Sequence, residues 1–261
     1  MPEGDTIHAV AQRLMPDLLE QALTHLEVHQ RAVPWGPGAR CVAIEVTGKH
    51  LFVHFDTAVG RRFVRVHLGM KGSWHRYRPG DAWHRDPSKR RLVIATPTWW
   101  FVCFGPKEVE VGTRPPASHL GPDLLTEVFD LDRVIANARA TRLDLGDLLL
   151  TQTVASGIGN VYKSETLFIE RLDPWRPSRD VDDATLRRIY QRARELMQTN
   201  LALGGMRTTL PPNLFAENER YWVYRRASQP CRICHGRITS RLQGDMARMT
   251  YWCSTCQPAT P

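Results

Sequence analysis

Lysine is scarce in this chain: five lysines stand against thirty arginines among 261 residues. The formal net charge is nevertheless +8. An excess carried by arginine suits bidentate contacts with phosphate, and it points to a polyanionic partner, nucleic acid first. Each of the few lysines therefore stands out as a candidate for chemistry. Any apolar run near the roughly 20 residues of a membrane span is also lacking. The basic start and apolar stretch of a signal peptide are missing too, because the chain opens MPEGDTIHAV with Glu3 and Asp5 where a leader carries positive charge. Cysteine is sparse and confined. Of six cysteines, four fall in the last 31 residues, while Cys41 and Cys103 stand alone in apolar stretches. That is not a secreted disulfide framework. It implies a reducing, cytoplasmic setting with two core thiols.

What is present falls into segments. After Asp5-Thr6, either of which can cap a helix, Ile7, Val10, Ala11 and Leu14 follow a helical period. From about 24 to 111 the sequence is a series of short β-rich runs (CVAIEV, HLFVHF, RFVRVHL, RLVIAT, WFVCFG) broken by turn residues, which predicts a sandwich or barrel. A Pro- and Gly-rich stretch follows, and helical periodicity then runs from about 128 to 204. The expected division is a β domain over 1–112, a linker over 113–127, a helical domain over 128–228 and a cysteine-rich finger over 229–261. The fold class is α+β and multidomain.

The sharpest local signal is Cys231-x-x-Cys234, eighteen residues, then Cys253-x-x-Cys256. Two such pairs form a tetrahedral four-thiolate site for one zinc ion, with no open position and hence a structural role. Between them a β-hairpin with its turn near Gln243-Gly244-Asp245 would present Arg237, Arg241 and Arg248. In LLLTQTVASGIGNVYKSETLF (148–168), two helices flank a glycine hinge. The second helix would begin near Asn160, and its exposed N–H groups suit a phosphate.

These segments occur together with PEG after Met1, GKHLF, HLGMKGSW, HLGPDLL, SGIGNVYKSE and ARMTYWCSTCQ. In that combination the chain resembles the formamidopyrimidine-DNA glycosylase/endonuclease VIII family of base-excision repair enzymes, essentially end to end. The resemblance implies an N-terminal β-sandwich with flanking helices, a helical helix–two-turn–helix domain, and a zinc-finger β-hairpin. It implies a monomer acting on damaged double-stranded DNA. It places the amine nucleophile on Pro2 (once Met1 is removed), the acid/base carboxylate on Glu3, and a lysine near the lesion on Lys49. The phosphate-contacting asparagine falls on Asn160 and the phosphate-gripping finger arginine on Arg248. Met70 falls where a side chain fills the gap left by an extruded base; a core methionine is the alternative. The implied catalytic set is thus Pro2, Glu3, Lys49 and Arg248, and the DNA-contacting set Lys49, Met70, Asn160 and Arg248. The family usually has glycine before that arginine; here it is Ala247.

The implied chemistry explains the opening. A flipped-out nucleotide exposes C1′ to an amine. An α-amine has a reference pKa near 7.7–8.0, against about 10.4 for lysine, so Pro2 is the better nucleophile at neutral pH. Lys49 could serve instead, or could only bind phosphate. The PEGDT start, and FGPKEVEV in place of an Arg-Arg-Phe-Gly segment, favour the endonuclease VIII branch and oxidised pyrimidines. The shortness of 205–228 points the same way. The alternatives are an 8-oxoguanine/formamidopyrimidine glycosylase and a catalytically weak damaged-DNA-binding protein on the same scaffold.

Overall fold

The computed structural model describes residues 2–113, 119–204, 208–211 and 220–259. It divides into two compact units, Met1–Ser118 and His119–Pro261.

The first unit opens with helix α1 (Gly4–Leu18). Nine strands follow: β1 (His25–Val28), β2 (Arg31–Ala32), β3 (Arg40–Thr47), β4 (His50–Asp56), β5 (Arg62–His67), β6 (Ser73–Tyr77), β7 (Arg90–Ala95), β8 (Trp100–Phe104) and β9 (Glu108–Gly112). They form two antiparallel sheets, ordered β2-β1-β7-β8-β6 and β3-β4-β5-β9. Alternation along the strands explains the sandwich. Leu51, Val53 and Phe55 of β4, with Leu92 and Ile94 of β7, face a common core that also buries Cys41 and Cys103. Burial pushes the Cys41 thiol up to about 12, as expected of an inert core cysteine. Helix α1 lays Ile7, Val10, Leu14 and Leu18 against the same core and packs on β3 and β4. The intervening residues of β7 and β8, Val93 and Val102, build a second cluster with Tyr77, Phe104, Trp83 and Trp100 on the outer face of the five-stranded sheet.

The helix begins earlier than Asp5 or Thr6 as cap would require. Glu3 is the N-cap residue and makes no side-chain cap, while its carbonyl accepts from the N–H groups of Thr6 and Ile7. Asp5 instead sits in the first turn, where a carboxylate complements the helix dipole.

The second unit contains α2 (Leu131–Arg139), α3 (Leu145–Leu150), α4 (Asn160–Ile169), α5 (Asp183–Ala202), and the hairpin β10 (Thr239–Gln243) and β11 (Arg248–Trp252). Asp130 and Asp182 cap α2 and α5 through the N–H groups of Arg133 and Thr185. Leu124, Leu145, Leu149, Ile158, Tyr162, Leu186 and Tyr190 share one core. Within the stretch expected as a linker, Leu124 is fully buried in that core. A smaller cluster joins Phe168 and Val223 to Cys231, Ile238 and Cys253, so the helical segment and the hairpin fall within the same compact unit.

Candidate active site and nucleic-acid interface

In the first unit, Glu3 is fully buried, whereas Pro2 before it keeps partial contact with solvent. Both stand at the N-terminus of α1. Met1 lies outside the described residues. Helix α1 rests on β3 and β4, and the turn joining those strands is Gly48-Lys49, closed by the Thr47–His50 pair. A two-residue hairpin loop demands unusual backbone at its first position. Gly48 supplies it with φ +60°, which leaves Lys49 at the tip.

Beyond Lys49, the sheet adds groups that the sequence reading did not single out. His50 and His67 face each other across β4 and β5 with ring centroids 4.8 Å apart. Nδ1 of His67 accepts the N–H of Gly69 at 3.2 Å, so this imidazole carries its proton on Nε2. Burial first of all, aided by the charges of Lys107, Lys49 and Arg65 and opposed by Glu108, holds His67 below its ordinary pKa. Gly69 has φ +62°, and a Cβ there would lie 2.7 Å from Cβ of Lys107. The turn after β5 is thus pressed against the segment before β9, and Met70 stands on it 64% exposed. A core methionine is excluded; the side chain is available for contact. The HLGMKG motif contained His67, and the scarcity of lysine could have flagged Lys107. Their proximity depends on β5–β9 pairing, which neither signal reports.

In the second unit, the hinge between α3 and α4 is built by side chains returning to backbone. Gln152 donates to the carbonyls of Leu150 and Ile158 at 2.8 and 3.0 Å and accepts the N–H of Gly157 at 3.1 Å. Gly157 adopts φ +109°. Helix α4 then starts at Asn160 after a Gly159 cap with no side-chain partner. Nδ2 of Asn160 donates to the carbonyl of Met249 at 2.7 Å. That carbonyl fixes the amide's orientation. The second Nδ2 hydrogen has no protein partner among the described residues, which suits an incoming acceptor.

Met249 follows Arg248 on β11, so Asn160 and Arg248 are brought to one place. The Arg248 side chain is exposed and, among the described residues, makes no hydrogen bond or ion pair. Several other arginines of this unit are paired: Arg139 with Asp183, Arg187 with Asp132, Arg188 and Arg192 with Glu170. Of the other hairpin arginines, Arg241 stacks on Trp175 at 4.1 Å, so it holds the hairpin rather than extending from it. Ala247 lies at φ +46°, a left-handed conformation that glycine adopts without strain.

The four cysteine thiols of the finger all lie within 4.8 Å of one another. Cys231 and Cys256 are 3.8 Å apart and Cys234 and Cys253 3.4 Å, too far for disulfides. Four sulfurs about 2.3 Å from a central ion sit about 3.8 Å from each other in a tetrahedron, so the cluster fits a metal ion. Among the described residues no other group of His, Cys, Asp and Glu does. No helix is long and apolar enough to cross a membrane, among those described.

Comparison with known proteins agrees with this arrangement. Residues 1–103 match the formamidopyrimidine-DNA glycosylase N-terminal domain, and residues 120–211 match the formamidopyrimidine-DNA glycosylase H2TH domain. The chain is 33% identical to "Probable endonuclease 8 2" of Streptomyces coelicolor, over 98% of this chain and 94% of that protein. It is 34% identical to "DNA-(apurinic or apyrimidinic site) lyase Nei2" of Mycolicibacterium smegmatis, over the whole of both. The crystal structure of the MutM (Fpg) protein from Thermus thermophilus superposes with a TM-score of 0.78 at 26% identity, covering both chains fully. Both family models and two full-length relatives therefore agree: the chain belongs to the formamidopyrimidine-DNA glycosylase/endonuclease VIII family of DNA glycosylases and AP lyases.

Proposed function

We propose that this protein is a bifunctional DNA glycosylase/AP lyase that removes oxidised pyrimidines from double-stranded DNA and cuts the strand by β,δ-elimination. The observation that carries the reading is a fully buried Glu3 directly behind a partly exposed Pro2 at the start of α1. With Met1 removed, the Pro2 nitrogen attacks C1′ of the flipped nucleotide. Glu3 moves the proton that lets the sugar open and the base depart. The resulting iminium acidifies the C2′ hydrogen; its loss expels the 3′ phosphate, and a second elimination expels the 5′ phosphate. Lys49 supports this from the β3–β4 turn as a phosphate or proton-transfer group. Met70, exposed on its own turn, fills the space the base has left. Asn160 and Arg248 grip the DNA backbone.

A zinc ion held by Cys231, Cys234, Cys253 and Cys256 supplies folding energy to the hairpin and takes no part in the chemistry. The pyrimidine preference rests on the PEGDT start and on FGPKEVEV (104–111), which lacks the Arg-Arg-Phe-Gly segment of the guanine branch. The remaining signal, a short 205–228, falls partly outside the described residues, which omit 205–207 and 212–219.

Borohydride trapping tests the reading. Wild-type protein should form a covalent adduct with lesion and abasic duplexes, faster with thymine glycol or dihydrouracil than with 8-oxoguanine opposite cytosine. Glu3→Gln should lose about 10²–10⁴-fold in lesion excision yet still trap abasic DNA, where the base has already gone. Protein retaining Met1 should trap neither. No adduct from wild type would leave a damaged-DNA binder; the reverse lesion ranking would move it to the guanine branch.

A further inference from the structure

Lys163 is fully buried, one turn along α4 from Asn160. A lysine in the interior is costly, since removing an ammonium from water carries a penalty of several kcal/mol unless its donors are used. Its Nζ donates to Oγ1 of Thr250 at 2.6 Å. Thr250 is also fully buried, and its hydroxyl donates to Oε1 of Gln243 at 2.7 Å. Nε2 of Gln243 then donates to the carbonyl of Pro174 at 2.8 Å. Gln243 pairs with Arg248 across the hairpin. A buried chain of donors thus runs from α4 through β11 and β10 to the segment before α5.

The same corner is sterically locked. A Cβ at Gly244 would collide with the Asp147 carboxylate, and one at Gly146 with the Gln243 amide. The Lys163 charge also reaches Asp147, lowering its pKa against the rise that burial imposes. Two polar contacts from α4 thus reach β11 side by side, Asn160 to the Met249 carbonyl and Lys163 to the Thr250 hydroxyl. The Arg248 side chain leaves this corner exposed and without a partner among the described residues.

We propose that Lys163 is a positioning residue for DNA-backbone binding: through Thr250 and Gln243 it fixes the register of β11 on α4, so that Arg248 and the Asn160 amide meet neighbouring phosphates. The inference rests on the reading that Arg248 and Asn160 grip the backbone. An apolar side chain could fill the volume of Lys163, but it could not hold the Thr250 hydroxyl toward Gln243. The ordering is directional: Lys163 can only donate, so Thr250 must accept from it and donate onward.

The test uses the full-length, zinc-loaded protein and a duplex with a tetrahydrofuran abasic analogue. Lys163→Met and Thr250→Val are compared with Arg248→Ala and with each double variant, and zinc content is measured for all. Lys163→Met should weaken binding about tenfold, as expected for losing a charge-assisted hydrogen bond. In the Arg248→Ala background that loss should largely vanish, because Lys163 acts through Arg248. The loss should fall on Kd rather than on the borohydride-trapping rate with saturating abasic DNA. A merely structural role would lower Tm without making the two losses non-additive. If Lys163→Met does not fold, Thr250→Val, which leaves the charge but breaks the chain, must show the same non-additivity. Arg248→Ala weakened with Lys163→Met at wild-type affinity, or fully additive losses, overturns this inference alone. Arg248→Ala at wild-type affinity overturns the reading of Arg248 and this inference with it.

Discussion

Each compact unit carries a candidate DNA-contacting cation on a β-hairpin, and the two hairpins are held by opposite means. Lys49 tips a hairpin whose strands span eight and seven residues and bury Leu51, Val53 and Phe55 in a sandwich core. Arg248 stands on a hairpin of two five-residue strands whose inward side chains include Gln243 and Thr250. An isolated two-stranded hairpin is marginal in water. Without enough apolar area to bury, the second hairpin relies on four thiols around an ion site, a buried polar chain and an arginine stacked on tryptophan. Hydrophobic burial is non-directional and tolerates small shifts. A ligand set and donor chain fix geometry closely but fail when one member is lost.

The largest expected effect exploits that difference. Metal chelation or Cys253→Ser should unfold the finger, since a structural zinc supplies on the order of 10 kcal/mol at such sites. DNA affinity should collapse and residues 229–259 become protease-sensitive, while the first unit stays folded. A protease-resistant finger without metal would break the comparison. In the opposite unit, Phe55→Ala should cost about 3–5 kcal/mol by urea unfolding, with zinc content unchanged.

Lys49→Ala and Arg248→Ala should each flatten the salt dependence of binding by about one phosphate contact, whatever the sequence. A loss confined to one sequence context would sharpen the contrast by making that residue a base reader.

Acid should act on the first unit through His67. Its folded pKa lies below the ordinary 6.5, so its contribution is complete above that value and is lost as pH falls through the folded pKa. Protonating Nδ1 also breaks the bond from Gly69. Between about pH 7.5 and 5, wild-type stability should fall more than that of His67→Gln. Equal slopes would remove His67 from the account.

The smallest effect is expected at Ala247→Gly, where relief of the φ +46° strain is partly offset by greater unfolded-chain entropy. A gain of about 0.5 kcal/mol in finger stability is anticipated, read as a modest rise in Tm.

Much of this was legible in the sequence because it is local. Strand alternation, the Cys-x-x-Cys spacing and the turn near Gln243-Gly244-Asp245 report neighbours within a few residues, and the start of α4 at Asn160 was readable for the same reason. Capping of α1 was misplaced because Asp5 and Thr6 are both plausible caps in isolation, and only packing of the first turn selects Glu3. The exposure of Met70 depends on how its turn meets Lys107. Gln152 and Thr250 carried no local mark that separates them from ordinary polar residues, and for His67, Lys107 and Lys163 neither motif nor lysine scarcity reports which groups they meet.

By itself, then, the sequence determined the run of short β-strands, the helical segment, the four-thiol finger and the Pro2-Glu3 start, each written in short-range spacing. Only tertiary structure decided that Asn160 meets Met249 and Lys163 meets Thr250, residues 89 and 87 positions apart in the chain. Such pairings leave no periodicity to read. A buried donor must find an acceptor, and which one it finds is set by how α3, α4 and the hairpin pack.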